Sequence, residues 1–316
     1  MVQAQGPSES GATLSRRGLV LGTLGAALAL GCRSREQQAT AAPPSSSAAR
    51  TAARWRELRF APSEPYPEPE LALVRAEPGA PLLIALHGRG EAGRGLEVGA
   101  RGWRDDYDLD RADARLRSPP LTPDDLLGFV RPDRLAALNA SLARTPYQGL
   151  CVACPYTPFL PDSSPGGASG FGRFVLDDLL PAARRELGLR AERGRTGIDG
   201  VSMGGRLALL VGLGHPEAFA AVGALQPAVH EDEAEALAEL AVRAQAAGEL
   251  RLRLVTSDGD TFRAAVEKLS AAMRDRGVKH ELLVTPGPHD YVYNRGPGSF
   301  EMQLWHERVL RGLPPA

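Results

Sequence analysis

The sequence predicts an α/β fold: a mostly parallel central sheet flanked by helices, with an insertion after the first core parallel strand. Three observations lead there. Pro81-Leu82-Leu83-Ile84-Ala85-Leu86 is a continuous apolar run, the pattern of a strand buried on both faces of a parallel sheet. Strand-like runs of this kind then alternate with segments of helical period, as successive βαβ units require. Third, Gly200-Val201-Ser202-Met203-Gly204 stands between a short strand and an apolar helical stretch, so a serine is placed on a sharp strand-to-helix turn.

The elements follow in order. Residues 55–76 hold one or two early strands, interrupted by Pro62, Pro65, Pro67 and Pro69. The strand at 81–86 ends in His87-Gly88-Arg89-Gly90. A second core strand is expected at 149–153, and a helix at 174–187 with Val175, Leu176, Leu179, Leu180 and Ala183 on one side. Residues 195–199 form a short strand leading into Ser202, and Leu207, Leu209, Leu210, Val211 and Leu213 mark the helix beyond it. Strands are expected at 221–225, 250–255 and 279–285, and helices at 231–247, 261–276 and 299–310. Between the first two core strands, residues 91–148 exceed an ordinary connection. They are read as a cap-like insertion over the active-site side of the sheet, with a helical stretch at 132–142. Its Trp103-Arg104-Asp105-Asp106-Tyr107 suggests a partly polar pocket wall suited to a sugar ester, or packing of the insertion onto the core.

The folded domain is assigned to 55–316. Residues 1–32 read as an export signal: Arg16-Arg17 is a twin-arginine pair ahead of the apolar run 18–31, which is shorter than the ~20 residues needed to span a bilayer. Leu28-Ala29-Leu30-Gly31-Cys32 resembles a lipoprotein box, although Ala29 stands where a large aliphatic residue is usual. Cys32 is therefore a candidate lipidation site and membrane tether, the alternative being ordinary signal cleavage. Residues 33–54, rich in Ala, Ser, Gln, Arg and Pro, read as a disordered linker. The expected location is the periplasm or cell surface.

A net charge of −1, with dispersed basic residues, argues against nucleic acid as a partner. Cys151 and Cys154 have CxxC spacing, but residues three apart on a strand face opposite ways, and no second cysteine pair completes a zinc site. They read as inert core thiols.

A serine hydroxyl needs a base within hydrogen-bond reach, and the base needs an orienting carboxylate. Of six histidines, His289 lies in Pro286-Gly287-Pro288-His289-Asp290, directly after a strand, where parallel-sheet enzymes carry catalytic groups. Asp258 and Asp260 compete for the acid in Thr256-Ser257-Asp258-Gly259-Asp260; Asp260 is favoured, although it could instead cap the next helix. The order Ser202, Asp260, His289 is that of α/β-hydrolases. Gly200 and Gly204 are the nucleophile-elbow glycines. The oxyanion donors are expected at the backbone N–H of Met203 and at Gly88 or Arg89.

The run 174–226 resembles the esterase D and feruloyl esterase-like family, which also includes acetylxylan esterases and mycobacterial mycolyltransferases. The matching residues are Val175-Leu176-Asp177-Asp178-Leu179-Leu180-Pro181, Gly200 to Gly205, His215-Pro216-Glu217-Ala218-Phe219 and, later, Gly277-Val278 and Pro286 to Tyr291. The resemblance covers residues 80–90 and 149–312 and finds no counterpart for 91–148; the family often has Gly where Ser257 stands. It implies hydrolysis of a small-molecule or carbohydrate ester through an acyl-enzyme, with no metal or organic cofactor. The competing expectations are acyl transfer to a sugar-type acceptor and a non-catalytic, surface-tethered binding lipoprotein.

Overall fold

The computed structural model describes residues 54–62, 68, 70–160 and 166–316. The expected export signal, Cys32 and nearly all of the linker lie outside the described residues. Among the described residues, eight strands build one sheet: β1 (Trp55–Phe60), β2 (Glu70–Arg75), β3 (Leu82–Leu86), β4 (Cys151–Pro155), β5 (Thr196–Gly200), β6 (Ala221–Leu225), β7 (Arg251–Gly259) and β8 (Glu281–Pro288), in the order β1-β2-β4-β3-β5-β6-β7-β8. β1 and β2 pair antiparallel, as do β2 and β4; all pairs from β4 to β8 are parallel.

Alternation along the strands divides the core into two faces, because successive side chains point to opposite sides. Leu82, Ile84, Leu86, Ala153, Ile198, Val222 and Leu254 pack under the helices Met203–Gly214, Ala234–Ala247 and Arg263–Asp275 and the helical run Ser169–Arg173, Phe174–Leu179 and Leu180–Leu187. Leu83, Ala85, Val152, Cys154, Leu225 and Val255 face the other way, against Trp103, Tyr107, Leu109 and the C-terminal helix Ser299–Leu310. Cys151 and Cys154 thus fall on opposite faces, both free and buried. Burial raises both thiol pKa values, which keeps them protonated and unreactive.

Segment 91–148 folds as short helices, of which Leu109–Leu116 and Pro132–Arg144 are the longest. Leu116, Leu126, Leu138 and Leu142 form a third apolar cluster with Phe300 and Leu304 of the C-terminal helix. Trp103 and Tyr107 are buried in the second face of the sheet rather than lining a pocket, and Asp105 and Asp106 pair with Arg104 and Arg94. Of the two readings of this stretch, packing onto the core is the one the structure shows.

Two strand ends differ from the sequence expectation. Residues 256–259 and 286–288 read as loops, yet β7 and β8 continue pairing to Gly259↔Pro288, with a register shift between Ser257 and Gly259. β8 is the edge strand, so Pro286 and Pro288 need no ladder partner on the outer side. The glycine and proline residues that suggested a loop are instead the signature of an irregular edge.

Beneath the elbow lies a buried polar pair. His306 Nε2 meets Asp199 Oδ2 at 2.9 Å, and Asp199 Oδ1 accepts the Gly200 N–H at 2.7 Å. Burial holds the His306 pKa below its ordinary value, so its neutral ring donates through Nε2. Asp199→Ala would leave a buried donor unmet and is expected to cost about 1–3 kcal/mol, read as a lower urea midpoint at unchanged slope. An unchanged midpoint would count against the pair's structural role.

Candidate active site

The carboxyl ends of β5, β7 and β8 bring together the three residues that the sequence singles out. Ser202 occupies the turn between β5 and the helix Met203–Gly214, with φ 56° and ψ −119°, a conformation that L residues rarely adopt. Two flanking glycines make the turn sterically possible. A Cβ at Gly200 would stand 2.5 Å from the Gly204 carbonyl, and one at Gly204 would stand 2.4 Å from the His87 carbonyl oxygen. The turn is tied down by Ser202 N–H to the Leu225 carbonyl at 2.9 Å, and by Ala228 N–H to the Ser202 carbonyl at 2.9 Å.

His289 Nε2 lies 3.0 Å from Ser202 Oγ, and its Nδ1 lies 2.8 Å from Asp260 Oδ1. The Asp260 carboxylate accepts from nothing but donors: besides His289, Phe262 N–H at 2.9 Å and Thr256 Oγ1–H at 2.7 Å. It can accept the proton-bearing Nδ1, which leaves Nε2 unprotonated toward the serine. The two aspartates differ in what they touch. Asp260 is buried against His289, whereas the Asp258 side chain accepts the Gly287 N–H at 3.0 Å and fastens β7 to β8. Asp260 does not cap the helix Arg263–Asp275, which Phe262 flanks; its Oδ1 accepts the Phe262 N–H in the preceding turn and also meets His289.

The two proposed oxyanion donors share a geometry. Met203 and Arg89 are the first residues of their helices, Met203–Gly214 and Arg89–Ala92, where backbone N–H groups have no intrahelical acceptor. Both border a cavity of about 250 Å³ together with Ser202, Phe159, Leu160 and Phe262. The Arg89 guanidinium lies 5.0 Å over the Phe159 ring at its edge. Gly88, the other candidate, is differently engaged: its N–H points to the Tyr107 hydroxyl at 3.4 Å. Arg89 is therefore the better-placed amide.

Several residues escaped sequence reasoning. The His87 ring accepts the Thr157 N–H at Nε2, 2.8 Å, so the proton resides on Nδ1, which donates to the Gly88 carbonyl at 2.9 Å. That carbonyl belongs to the same peptide as the Arg89 N–H, so His87 holds the candidate donor in place. Gln226 is buried with φ 41°, and its amide nitrogen donates to Ser257 Oγ at 2.6 Å and to the Pro288 carbonyl at 2.9 Å. Ser257 Oγ donates in turn to the Gly287 carbonyl at 2.6 Å. This chain of bonds links the ends of β6, β7 and β8 under the catalytic loops. A polar Gln at the carboxyl end of an apolar strand was the available signal for it.

The family model described as Putative esterase matches residues 158–307, a span that includes Ser202, Asp260 and His289. Over this span the chain is similar to the esterase family. It is a carboxylic ester hydrolase by class. No curated protein matches the chain. Among solved structures, it is similar to a ferulic acid esterase at 16% identity, covering 81% of this chain and 99% of that one with a TM-score of 0.59. It is similar to an S-formylglutathione hydrolase from Staphylococcus aureus at 13% identity, covering 76% and 94% with a TM-score of 0.54. An enterobactin esterase from Shigella flexneri matches at 17% identity over 78% of this chain and 56% of that one, with a TM-score of 0.51. At such identities the likeness establishes the α/β-hydrolase fold.

Burial pushes His87 down to about 4 from an ordinary value near 6.5. Between those values the unfolded chain binds a proton that the native ring refuses, so stability falls as pH drops from about 6.5 to about 4. The expected loss from this group approaches about 3 kcal/mol. His306 acts in the same direction. Urea unfolding at pH 7 and pH 4.5 is expected to show a smaller acid loss in His87→Gln than in the wild type; equal losses would contradict the assignment.

Proposed function

We propose that this chain is an exported serine esterase that works through a Ser202-His289-Asp260 triad and an acyl-enzyme. The supporting observation is the continuous hydrogen-bond path from Asp260 through His289 to Ser202, at 2.8 and 3.0 Å. His289 Nε2 takes the Ser202 proton as Oγ attacks the ester carbonyl. Asp260 orients the imidazole and stabilises its cationic form. The Arg89 and Met203 amides receive the oxyanion of the tetrahedral intermediate. His289 then protonates the departing alcohol, and water releases the acid by the same steps in reverse order.

The substrate reading is a small-molecule or carbohydrate ester. The cavity beside Ser202 is lined by Phe159, Leu160, Leu207 and Phe262 together with the polar Arg89, Arg206 and His230; at about 250 Å³ it suits an acyl group of modest size. The similarity to a ferulic acid esterase is compatible with an aromatic acyl group. Export rests on the twin arginines and the apolar run 18–31, and membrane tethering rests on Cys32. Among the described residues, no helix is long and apolar enough to cross a membrane. The triad geometry disfavours the non-catalytic binding alternative, since a binding scaffold has no need of an aligned base.

Ser202→Ala is expected to reduce turnover of p-nitrophenyl acetate by about 10⁶-fold, to the level of oxyanion and binding effects alone. Near-native turnover would sink the assignment. In the same assay, Asp260→Asn is expected to lose about 10⁴-fold through the wrong imidazole tautomer, whereas Asp258→Asn stays within about tenfold of wild type. Equal effects at the two positions would reverse the choice of acid.

A further inference from the structure

Two side chains of segment 91–148 lie against the turn that carries the Arg89 amide, and neither has a part in the reaction as derived. Glu91 and Tyr107 are each 1% exposed. The Tyr107 hydroxyl donates a short hydrogen bond to Glu91 Oε2 and accepts the Gly88 N–H at 3.4 Å. The groups converge tightly on that turn. A Cβ built at Gly88 would lie 3.2 Å from Glu91 Oε2, 3.3 Å from the Tyr107 hydroxyl and 3.7 Å from Ser202 Cβ. Burial, reinforced by the Glu91 charge, holds the Tyr107 pKa well above its ordinary value, so the phenol keeps its proton. The Tyr107 ring also lies 4.9 Å from the Trp103 ring, within the second core face, so the hydroxyl is delivered from a rigid base.

Glu91 also has Arg94 at 3.7 Å from Oε1 and the Tyr291 hydroxyl as neighbours, yet a buried carboxylate is costly to keep for packing alone, and apolar groups of similar volume would often be as stable or more so. Its position points to another use. We propose that Glu91 and Tyr107 are positioning residues for the oxyanion turn. The carboxylate fixes the phenol, and the phenol fixes the Gly88 N–H. His87 and the Ala92 N–H hold the Gly88 carbonyl at 2.9 and 3.3 Å. With both polar groups of Gly88 committed, the adjoining Arg89 amide keeps its place beside Ser202. The insertion thus acts on the rate of reaction by supporting an amide that it does not itself contribute. This inference rests on the reading of the Arg89 N–H as an oxyanion donor.

The test compares Tyr107→Phe, Glu91→Ala and Glu91→Gln with wild type in the intact chain. The readouts are kcat and KM for p-nitrophenyl acetate, inhibition by phenylboronic acid, which forms a tetrahedral adduct on a serine, and thermal midpoint. Tyr107→Phe and Glu91→Ala are expected to lower kcat and phenylboronic acid affinity together by about tenfold to a hundredfold, with KM within about twofold of wild type. Glu91→Gln keeps an acceptor for the phenol and is expected to recover most of the loss. Wild-type kcat and boronate affinity in Tyr107→Phe overturn the proposal. If Tyr107→Phe does not fold, equal kcat in Glu91→Ala and Glu91→Gln overturns it instead. A wild-type enzyme that neither turns over the ester nor reacts at Ser202 with a fluorophosphonate overturns the esterase reading as well; a reactive wild type with indifferent variants removes only the positioning role.

Discussion

The backbone of Ser202 is the constraint on which the rest depends. A non-glycine residue held at φ 56° and ψ −119° costs on the order of 1–3 kcal/mol, and it persists only where its surroundings over-determine it. Here they do. The Ser202 amide is bonded to the Leu225 carbonyl at the end of β6, Val201 N–H is bonded to the Leu86 carbonyl at the end of β3, and Gly204 lies where a single added carbon would collide with the backbone of β3. The close approach of the elbow to two neighbouring strands lifts the serine Oγ clear of the sheet and sets the first amide of the following helix beside it. Any looser turn would lose both together.

Around the elbow, the loops at the carboxyl ends of the strands are pinned by polar groups, most of them buried and Asp258 exposed. Gln226 and Ser257 tie β6 to β7 and β8; Asp258 fastens Gly287; Thr256 and Phe262 hold Asp260; His87 holds the Gly88 carbonyl. The C-terminal helix is anchored behind them, where Glu301 lies between Arg253 of β7 and Arg134. Burial alone would raise the Glu301 pKa, but the two guanidiniums outweigh it and hold it below the usual carboxylate range. Each such contact is worth little in water. In a buried site their joint effect is geometric, limiting the loop displacements to which turnover is sensitive.

Much of this was legible in the sequence because it depends on local rules. Continuous apolar runs gave the parallel strands, and the terminal helix at 299–310 and the strand at 221–225 coincide with their expected limits. Gly200 and Gly204 bracket Ser202 for a steric reason visible from spacing alone, and the order of Ser202, Asp260 and His289 follows from which loops leave the carboxyl edge. What escaped the reading is long-range. Asp260 was favoured over Asp258 from its place in the loop, but the partners of the two were not legible: across the β7 register shift Asp258 meets the Gly287 N–H of β8 and Asp260 meets His289. The roles of Glu91 and Tyr107 depend on a fold of segment 91–148 that has no strand period or motif to announce it. Trp103 and Tyr107 resembled a ligand wall because aromatic residues with charged neighbours serve both purposes, and only packing separates the two.

We propose that Ser202, alone among the hydroxyls of the described residues, is activated by its own surroundings. This is tested most directly by reacting the native chain with diisopropyl fluorophosphate and locating the adduct by peptide mass spectrometry. The account predicts one phosphoryl group per chain, on the peptide containing Ser202, and none after unfolding in urea before exposure. A native chain that remains unlabelled, or one labelled at a different serine, would contradict it.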